Sequence, residues 1–315
     1  MAGDETAIIW SDACLAHDPG RGHPECPERL VAIRRKLEAV SLWKRCRIVE
    51  PRPATEEQIL AAHTREHWRR VQAVAARGGG LLDAGDTMMS AGSLPAALAA
   101  AGGAIAAADL VATGEARRAL ALVRPPGHHA TADEAMGFCI FNNVAVAARH
   151  LQRARGLRRI LIFDFDLHHG NGTQDIFWRD GGVFYLSLHR YPFYPGTGAR
   201  GEAGEGPGAG HILNIPLGAG AGSAEYLAAV RWALGGPVRG FGPEFILVSA
   251  GFDAHARDPL GGLGLDAEDF RVVTRELKAV EPAGGRIASV LEGGYDLAVG
   301  LPEALAAHLE ELAAP

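Results

Sequence analysis

Short runs of apolar residues alternate with longer segments of helical periodicity along most of the chain. Runs such as Ile160–Phe163 and Phe245–Val248 are apolar at every position, which is typical of strands covered by helices on both faces. This alternation predicts an α/β fold in which helices flank a mostly parallel sheet. The predicted strands are Ala7–Trp10, Arg47–Val49, Ala119–Val123, Ile160–Asp164, Val183–Leu188, Ile212–Pro216, Phe245–Ser249 and Ile287–Leu291.

Between the strands, apolar residues recur every three or four positions, which predicts amphipathic helices. Thr55-Glu56-Glu57-Gln58 has the form of a capping box, and Ser223 and Asp266 are predicted N-caps. No internal repeat or low-complexity linker divides the sequence, so a single domain over residues 1–315 is predicted. The predicted helices are Pro27–Val40, Thr55–Arg77, Ser93–Thr113, Asn142–Arg155, Ser223–Leu234 and Asp266–Glu281.

Composition narrows the classes of function. The net charge of −6 argues against nonspecific binding to nucleic acid, which needs a basic surface. Met1–Glu5 shows no apolar segment of a secretory signal, and Leu94–Ala108 falls short of the ~18 to 20 apolar residues of a membrane span. A cytoplasmic protein without a membrane partner is expected, and a homo-oligomer is left open. No Cys-x-x-Cys pair indicates a structural zinc or a disulfide framework among Cys14, Cys26, Cys46 and Cys139.

The strongest local feature is a polar cluster where the fourth predicted strand ends. Strand side chains alternate, so Asp164, Asp166 and His168 are expected on one side. The intervening Phe165 and Leu167 would then point to the other side. Two carboxylates and an imidazole on one face predict a cation site, because burying unpaired charge is costly. The alternative is a polar strand end that hydrogen bonds alone satisfy.

Three further polar segments follow predicted strands. Arg124–His129 is a turn stiffened by proline and glycine, and its adjacent histidines His128 and His129 suit general acid and base chemistry. Ser249–His255 and Leu291–Tyr295 follow two later strands. Each segment alone would be an ordinary loop. All four, however, follow the carboxyl ends of predicted parallel strands, where open α/β sheets place their active sites.

One segment breaks the alternation of strands and helices. His189–Gly222 contains ten glycines and four prolines around a single short strand. So many turn-forming residues predict either a functional loop or a mobile surface loop.

Taken together, these segments resemble the histone deacetylase and acetylpolyamine amidohydrolase superfamily, most closely its class II and bacterial members. The resemblance covers residues 12–300 in family order. It implies the arginase/deacetylase fold, one α/β domain around a mostly parallel sheet of about eight strands. The matching segments are His23-Pro24-Glu25, Pro27 to Leu30, Pro125 to His129, Gly137 to Cys139, Asp164 to Gln174, Pro195 to Gly198, Ser249 to Gly262 and Glu292 to Tyr295.

The resemblance implies that Asp166, His168 and Asp253 are the ligands of one catalytic zinc ion. Such a set leaves coordination positions open for water and a substrate carbonyl, as catalytic zinc requires. Arginases share the fold and bind two manganese ions through additional carboxylates, but this chain has Gly170 and His255 at those positions. One transition metal is therefore expected, and iron(II) would also suit these ligands.

The implied reaction is hydrolysis of an N-acetyl amide. His129 would be the general base and acid, and the Tyr295 hydroxyl would donate to the developing oxyanion. His128 is expected to pair with Asp164, whose charge favours the cationic imidazole. His129 is expected to pair with Asn171, a neutral partner that raises the pKa of the base less than an aspartate would. Class I relatives carry aspartate there, so Asn171 favours class II.

The resemblance also implies a structural potassium ion bound by Asp164, Ser187 and backbone oxygens that include that of Leu188. Without a cation, Asp164 and Asp166 would lie close together as like charges. A second, less specific cation site is expected around Phe177, Asp180 and Val183.

For the substrate, the resemblance implies a narrow tunnel for a linear alkyl amine. Phe138, next to Gly137, and Tyr194 would form opposite walls, and Leu260 would lie at the mouth. An ordinary core position is the alternative for Phe138. Arg29 resembles an arginine beside an acetate exit path, with a surface position at a helix start as its alternative.

The favoured function is a zinc-dependent deacetylase or deacylase that acts on acetylated or acylated lysine in peptides or on a similar small acetylamine. Polyamine-selective relatives tend to carry a glutamate at the rim, where Leu260 offers only apolar contact. An acetylpolyamine amidohydrolase is the runner-up, and a deacetylase of the acetoin-utilisation type has the same motifs. An acetyl-lysine-binding protein with weak catalysis is disfavoured, because Tyr295, both histidines and all three ligands are present.

Overall fold

A computed structural model of the chain describes residues 5–315. Residues 1–4, on which the prediction of no secretory signal largely depends, lie outside the described residues. Of the ten strands in the described part, eight form one sheet and two form a short antiparallel hairpin. The strands are β1 Ala7–Trp10, β2 Arg47–Val49, β3 Gly79–Leu81, β4 Met88–Ser90, β5 Arg118–Leu122, β6 Ile160–Asp164, β7 Val183–Arg190, β8 Ile212–Leu217, β9 Phe245–Ala250 and β10 Ile287–Leu291.

The eight strands of the large sheet are parallel and lie in the order β2-β1-β5-β10-β9-β6-β7-β8. Every residue of β5, β6, β9 and β10 is buried, as expected of strands with helices on both faces. The predicted α/β class and the mostly parallel sheet of about eight strands are therefore confirmed. Each predicted strand is present and ends within two residues of its predicted bounds.

The helices surround this sheet, and five of the six predicted segments form single helices. The sixth, Thr55–Arg77, forms two helices, because the chain turns after the first and a new helix starts at Thr64. The Thr64 hydroxyl accepts the His67 N–H at 3.2 Å and caps that new helix. The helices are α1 Glu28–Ala39, α2 Leu42–Arg45, α3 Glu56–Ile59, α4 Arg65–Ala76, α5 Ser93–Ala112, α6 Asn143–Arg155, α7 Asn171–Phe177, α8 Ser223–Ala233, α9 Arg239–Phe241, α10 Ala267–Lys278 and α11 Gly300–Ala313.

Two of the three predicted caps are confirmed. Thr55 and Asp266 both form capping boxes with the residue three positions later. The prediction for Ser223 is wrong, because Gly222 is the N-cap of α8 and the Ser223 hydroxyl instead donates to Asp269 at 2.6 Å. That bond ties the start of α8 to the start of α10.

Helix α5 corrects the expectation that its segment falls short of a membrane span. By length and by a mean hydropathy of 1.7, this one helix could cross a membrane, yet 67% of that apolar window is buried inside the protein. It packs against α6 and strands of the sheet. Core packing therefore accounts for its apolar character, and the expected lack of a membrane partner stays a prediction.

A buried cluster of charges ties α1 to the sheet. The fully buried Glu25 carboxylate contacts Arg29 Nη1 at 3.1 Å, His17 Nε2 at 3.3 Å and the Arg124 guanidinium. Burial alone would raise the pKa of Glu25, but Arg124, His17 and Arg29 hold it well below its usual value. Arg29 also donates to two carbonyl oxygens of the loop after β10. The surface alternative for Arg29 is therefore wrong.

We expect Glu25→Ala to lower the free energy of unfolding by about 3 to 5 kcal/mol, because two buried guanidinium groups lose their counter-charge. Glu38→Ala is the matched control, since Glu38 also pairs with an arginine four positions away, Arg34, but on the surface. It should cost only about 0.3 to 0.5 kcal/mol. Urea unfolding of both variants measures the difference, and equal losses would contradict this assignment.

Candidate active site

Four loops that carry polar side chains meet at one edge of the large sheet. They follow β5, β10, β9 and β6, which are adjacent in that order, so their carboxyl ends lie side by side. Hydrogen bonds join the loops: the Gly127 N–H donates to Glu292 at 2.6 Å, and the Gly293 N–H donates to Asp166 at 2.9 Å. The Leu167 N–H donates to Asp253 at 2.9 Å. The four segments singled out in the sequence therefore form one site.

Asp166, His168 and Asp253 form a compact cluster in this site. One potential ligand atom from each lies within 4.8 Å of the other two. His168 Nδ1 is 3.1 Å from Asp166 Oδ1 and 3.0 Å from Asp253 Oδ2, and both carboxylates are fully buried. Burial alone would lower the pKa of His168, but the carboxylates of Asp166 and Asp253 raise it to about 10. The cluster therefore favours one positive charge, either a proton or a metal ion.

The donor set fits a catalytic zinc ion. Two carboxylates and one imidazole are zinc ligands, and three protein donors leave coordination positions free, as in catalytic sites. The backbone N–H groups of Leu167 and Gly293 hold the carboxylates of Asp253 and Asp166 in place. A side chain at Gly293 would lie 2.6 Å from Asp166 Oδ2, so only glycine allows this loop to approach the cluster. Within residues 5–315, this is the one group of histidine, cysteine and acidic residues with such geometry.

His128 lies beside the cluster and is held as a cation. Its Nδ1 is 3.0 Å from Asp164 Oδ2, the contact predicted from the sequence. Burial alone would lower the pKa of His128, but the charges of Asp166 and Asp164 raise it to about 10. Asp164 is fixed in turn by the Tyr185 hydroxyl at 3.0 Å. His128 therefore places a positive charge next to the metal-binding cluster.

His129, the adjacent residue, is held neutral. Its Nδ1 is 2.8 Å from Asn171 Oδ1, as predicted, and a carboxamide oxygen can only accept, so Nδ1 carries the proton. Burial and the neighbouring cations His128 and His168 lower the pKa of His129 well below its usual value. The Nε2 atom then keeps a free lone pair, which is the state a general base requires.

A cavity of about 420 Å³ opens over these groups. The four residues predicted to bind substrate all line this cavity: Gly137, Phe138, Tyr194 and Leu260. His129, His168 and Tyr295 line it as well.

Phe138 forms one wall of the cavity. It has a φ of 69°, unusual for a residue other than glycine, and its N–H donates to Thr87 Oγ1 at 3.2 Å. Its ring lies edge-on to His23 and Tyr295, with ring centres 4.6 and 6.1 Å apart. The alternative of an ordinary core position is therefore wrong for Phe138.

Tyr194 and the adjacent Phe193 form a second wall. Tyr194 is 41% exposed, and its ring is edge-on to His129 with centres 5.2 Å apart. Phe193, which sequence reasoning missed, stacks on His168 with ring centres 5.4 Å apart and an interplanar angle of 19°. Its position beside Tyr194 between two prolines was the signal that could have pointed to it.

Tyr295 and Leu260 are fixed by a shared partner, Asp258. One Asp258 oxygen accepts the Tyr295 N–H at 2.6 Å, and the other accepts the Leu260 N–H at 2.9 Å. Burial raises the pKa of the Tyr295 phenol well above its usual value, so the hydroxyl remains a donor. Asp86, a second carboxylate not identified from the sequence, lines the cavity itself. The turn pair Asp258-Pro259 was a local signal that could have indicated Asp258, whereas no local pattern indicated Asp86.

The predicted potassium ligands Asp164 and Ser187 are register partners on β6 and β7, and Leu188 follows on the same strand. The Ser187 hydroxyl is 2.9 Å from His189 Nδ1. At the second predicted cation site, Arg149 and Gln152 already bond the Asp180 carboxylate. A cation there would have to use backbone oxygens, such as those of Phe177 and Val183, and both sites stay predictions.

Comparisons with known proteins agree with this geometry. The family model of the histone deacetylase domain matches residues 23–312. A "Probable deacetylase" of Methanothermobacter thermautotrophicus is 46% identical, over 95% of this chain and 86% of that protein. The "Histone deacetylase-like amidohydrolase" of Pseudomonas aeruginosa is 38% identical, over 98% and 86%.

Two further comparisons extend the match. "Histone deacetylase 5" of Arabidopsis thaliana is 41% identical over 93% of this chain, which spans only 47% of that longer protein. The crystal structure of the HDA15 HD domain superposes with a TM-score of 0.94 at 36% identity, over 99% of this chain and 88% of that one. The fold is thus the arginase/deacetylase α/β fold, and the chain belongs to the histone deacetylase family.

Proposed function

We propose that the chain is a zinc-dependent amidohydrolase that removes acetyl or other acyl groups from lysine side chains or from similar primary-amine amides. The observation that carries the proposal is the convergence of the metal-binding cluster, His129 and Tyr295 on one cavity. Zinc held by Asp166, His168 and Asp253 would act as a Lewis acid toward the amide carbonyl and the attacking water. Iron(II) is the alternative occupant of the same ligands.

The two histidines divide the proton chemistry. His129 Nε2 takes a proton from the water as its oxygen bonds to the carbonyl carbon. The same nitrogen returns that proton to the departing nitrogen as the carbon–nitrogen bond breaks, which releases a carboxylic acid and a free amine. The His128 cation keeps its neighbour neutral and stabilises the negative charge that develops.

Tyr295 supplies the remaining donor. Its hydroxyl would donate to the carbonyl oxygen as negative charge grows there, a contact that strengthens in the transition state. A structural potassium ion on Asp164 and Ser187, with the backbone oxygen of Leu188, would offset part of the buried negative charge.

Asp86 supports a second candidate function. A carboxylate on the cavity wall would attract a substrate with a distal ammonium group, as in an acetylated polyamine. Leu260 offers no such charge, so a peptide carrying acetyl-lysine remains the favoured substrate.

Removing one ligand should abolish metal binding and activity together. We expect Asp166→Ala and Asp253→Ala to lose bound zinc, because two donors no longer hold the ion against water. Metal content by plasma mass spectrometry and hydrolysis of an acetyl-lysine peptide would be measured on the same samples. Asp133→Ala, at an exposed carboxylate, is the control. Stoichiometric zinc with full turnover in either ligand variant would rule out this site.

Removing only the Tyr295 hydroxyl should slow the chemical step. We expect Tyr295→Phe to lower kcat by about 10² to 10³ with unchanged zinc content, the loss typical of an oxyanion donor. Tyr191→Phe, in a loop beside the cavity, should keep its kcat. If Tyr295→Phe instead raises KM and leaves kcat alone, the tyrosine is a tunnel wall only.

A charge at position 260 should shift the substrate preference. We expect the unmodified enzyme to prefer acetyl-lysine peptides over N8-acetylspermidine. Leu260→Glu should shift relative kcat/KM toward the polyamine by about 1 to 2 kcal/mol, the scale of a partly desolvated charge pair. The Leu260→Gln variant is the neutral control, because glutamine has nearly the same shape as glutamate and differs from it in charge. An unmodified enzyme that favours acetylspermidine tenfold over every acetyl-lysine peptide would make the polyamine reading the correct one.

A further inference from the structure

Arg190, the last residue of β7, connects two walls of the cavity. Its guanidinium carbon lies 4.0 Å from the ring centre of Phe193, and its Nη1 donates to the Gly261 carbonyl at 3.1 Å. Phe193 and Gly261 both line the cavity, and Phe193 also stacks on the metal-binding residue His168. One guanidinium therefore contacts the loop after β7 and the loop after β9.

Charge pairing does not explain this position. Among the ion pairs of residues 5–315, none involves Arg190, and its Nε atom is buried without a hydrogen-bond partner. The guanidinium is held instead by an aromatic face and one carbonyl oxygen, contacts that depend on its planar shape. The two loops are thus the structural partners of Arg190.

The backbone around Arg190 is shaped to receive the guanidinium. A side-chain carbon at Gly262, whose φ is 154°, would lie 3.0 Å from the Arg190 Cζ atom. The Arg190 N–H donates to the Leu167 carbonyl at 2.9 Å, one residue before His168. The arginine is therefore anchored at its backbone beside the metal-binding cluster and enclosed at its tip by a glycine.

We propose that Arg190 is a positioning residue that sets the width of the substrate tunnel. It holds Phe193 against His168 and keeps the Leu260–Gly261 loop at a fixed distance from that ring. A tunnel of fixed width admits an amide on an unbranched alkyl chain and excludes one on a bulkier linker. This inference rests on the proposed deacylase function for its substrate, although the contacts themselves do not.

The experiment compares Arg190→Met and Arg190→Lys with the control Arg179→Met. Methionine removes the charge and the planar fork, and lysine keeps the charge alone. Arg179 is a surface arginine that pairs with Glu205, a residue of the glycine-rich segment His189–Gly222, which contains Arg190. Crystal structures of all three variants give the position of the Phe193 ring relative to His168. Kinetics compare a peptide carrying acetyl-lysine with one carrying 4-(acetamidomethyl)phenylalanine, which bears the same amide on a ring.

In both Arg190 variants we expect the Phe193 ring to leave the His168 ring. The preference for acetyl-lysine over the ring-bearing substrate should fall about tenfold, through a higher KM for acetyl-lysine with kcat within about threefold. A variant that merely lost stability would lower activity on both substrates equally, and Arg179→Met should change neither measure.

Two results would overturn the inference: an unmoved Phe193 ring, or an unchanged preference between the two substrates. An unmodified enzyme that hydrolyses no acyl-lysine peptide would instead overturn the proposed function. In that case, the position of the Phe193 ring in the variant crystals still decides whether Arg190 holds the wall. Arg190→Lys decides the same question if Arg190→Met does not fold.

Discussion

Four carboxyl groups, those of Asp164, Asp166, Asp253 and Glu292, are fully buried at one edge of the sheet. Buried charges are costly unless hydrogen bonds and opposite charges compensate them. Here, backbone N–H groups of adjacent loops and the His128 cation provide part of the compensation, and burial raises the pKa of Glu292 to about 7. Three of the four loops donate a backbone N–H to a carboxylate of another loop, and the fourth carries the accepting Asp253, so the loops cannot shift independently. A metal ion would complete the balance rather than create the site.

The same edge makes two neighbouring histidines chemically different. His128 and His129 are both buried, yet one has a raised pKa and the other a lowered pKa. The difference follows from the surrounding charges: Asp166 and Asp164 favour the cation at His128, whereas burial and the cations at His128 and His168 disfavour it at His129. The cation at His128 then further disfavours a second proton on His129. One dipeptide thus supplies both a fixed positive charge and a neutral base.

The strands and the polar residues Asp166 and His168 could be predicted from the local sequence for a common physical reason, whereas Asp253 as a third ligand came from the family resemblance. Strands buried on both faces are apolar runs, and the polar residues that follow them are local signals. Helix α7 was missed because it starts with Asn171-Gly172, a typical turn pair, and α11 because a motif loop runs into it. The N-cap of α8 was predicted one residue too late, at Ser223, because the contact of Ser223 with Asp269 depends on tertiary structure. Asp86 reaches the cavity only through packing between distant segments, which no periodicity records.

The proposed metal ligands and the residues that line the cavity lie in loops that follow strands of one sheet. Asp166 and His168 lie in the loop after β6 and Asp253 in the loop after β9, whereas Tyr194 lies in the loop after β7 and Leu260 seven residues beyond Asp253. Loops can change in sequence without disturbing the sheet, so substrate preference can vary while the chemistry is kept. Asp258 limits that freedom, because one carboxylate bonds the backbones of both Leu260 and Tyr295. A change in the rim that moved Asp258 would therefore also move Tyr295, the proposed oxyanion donor.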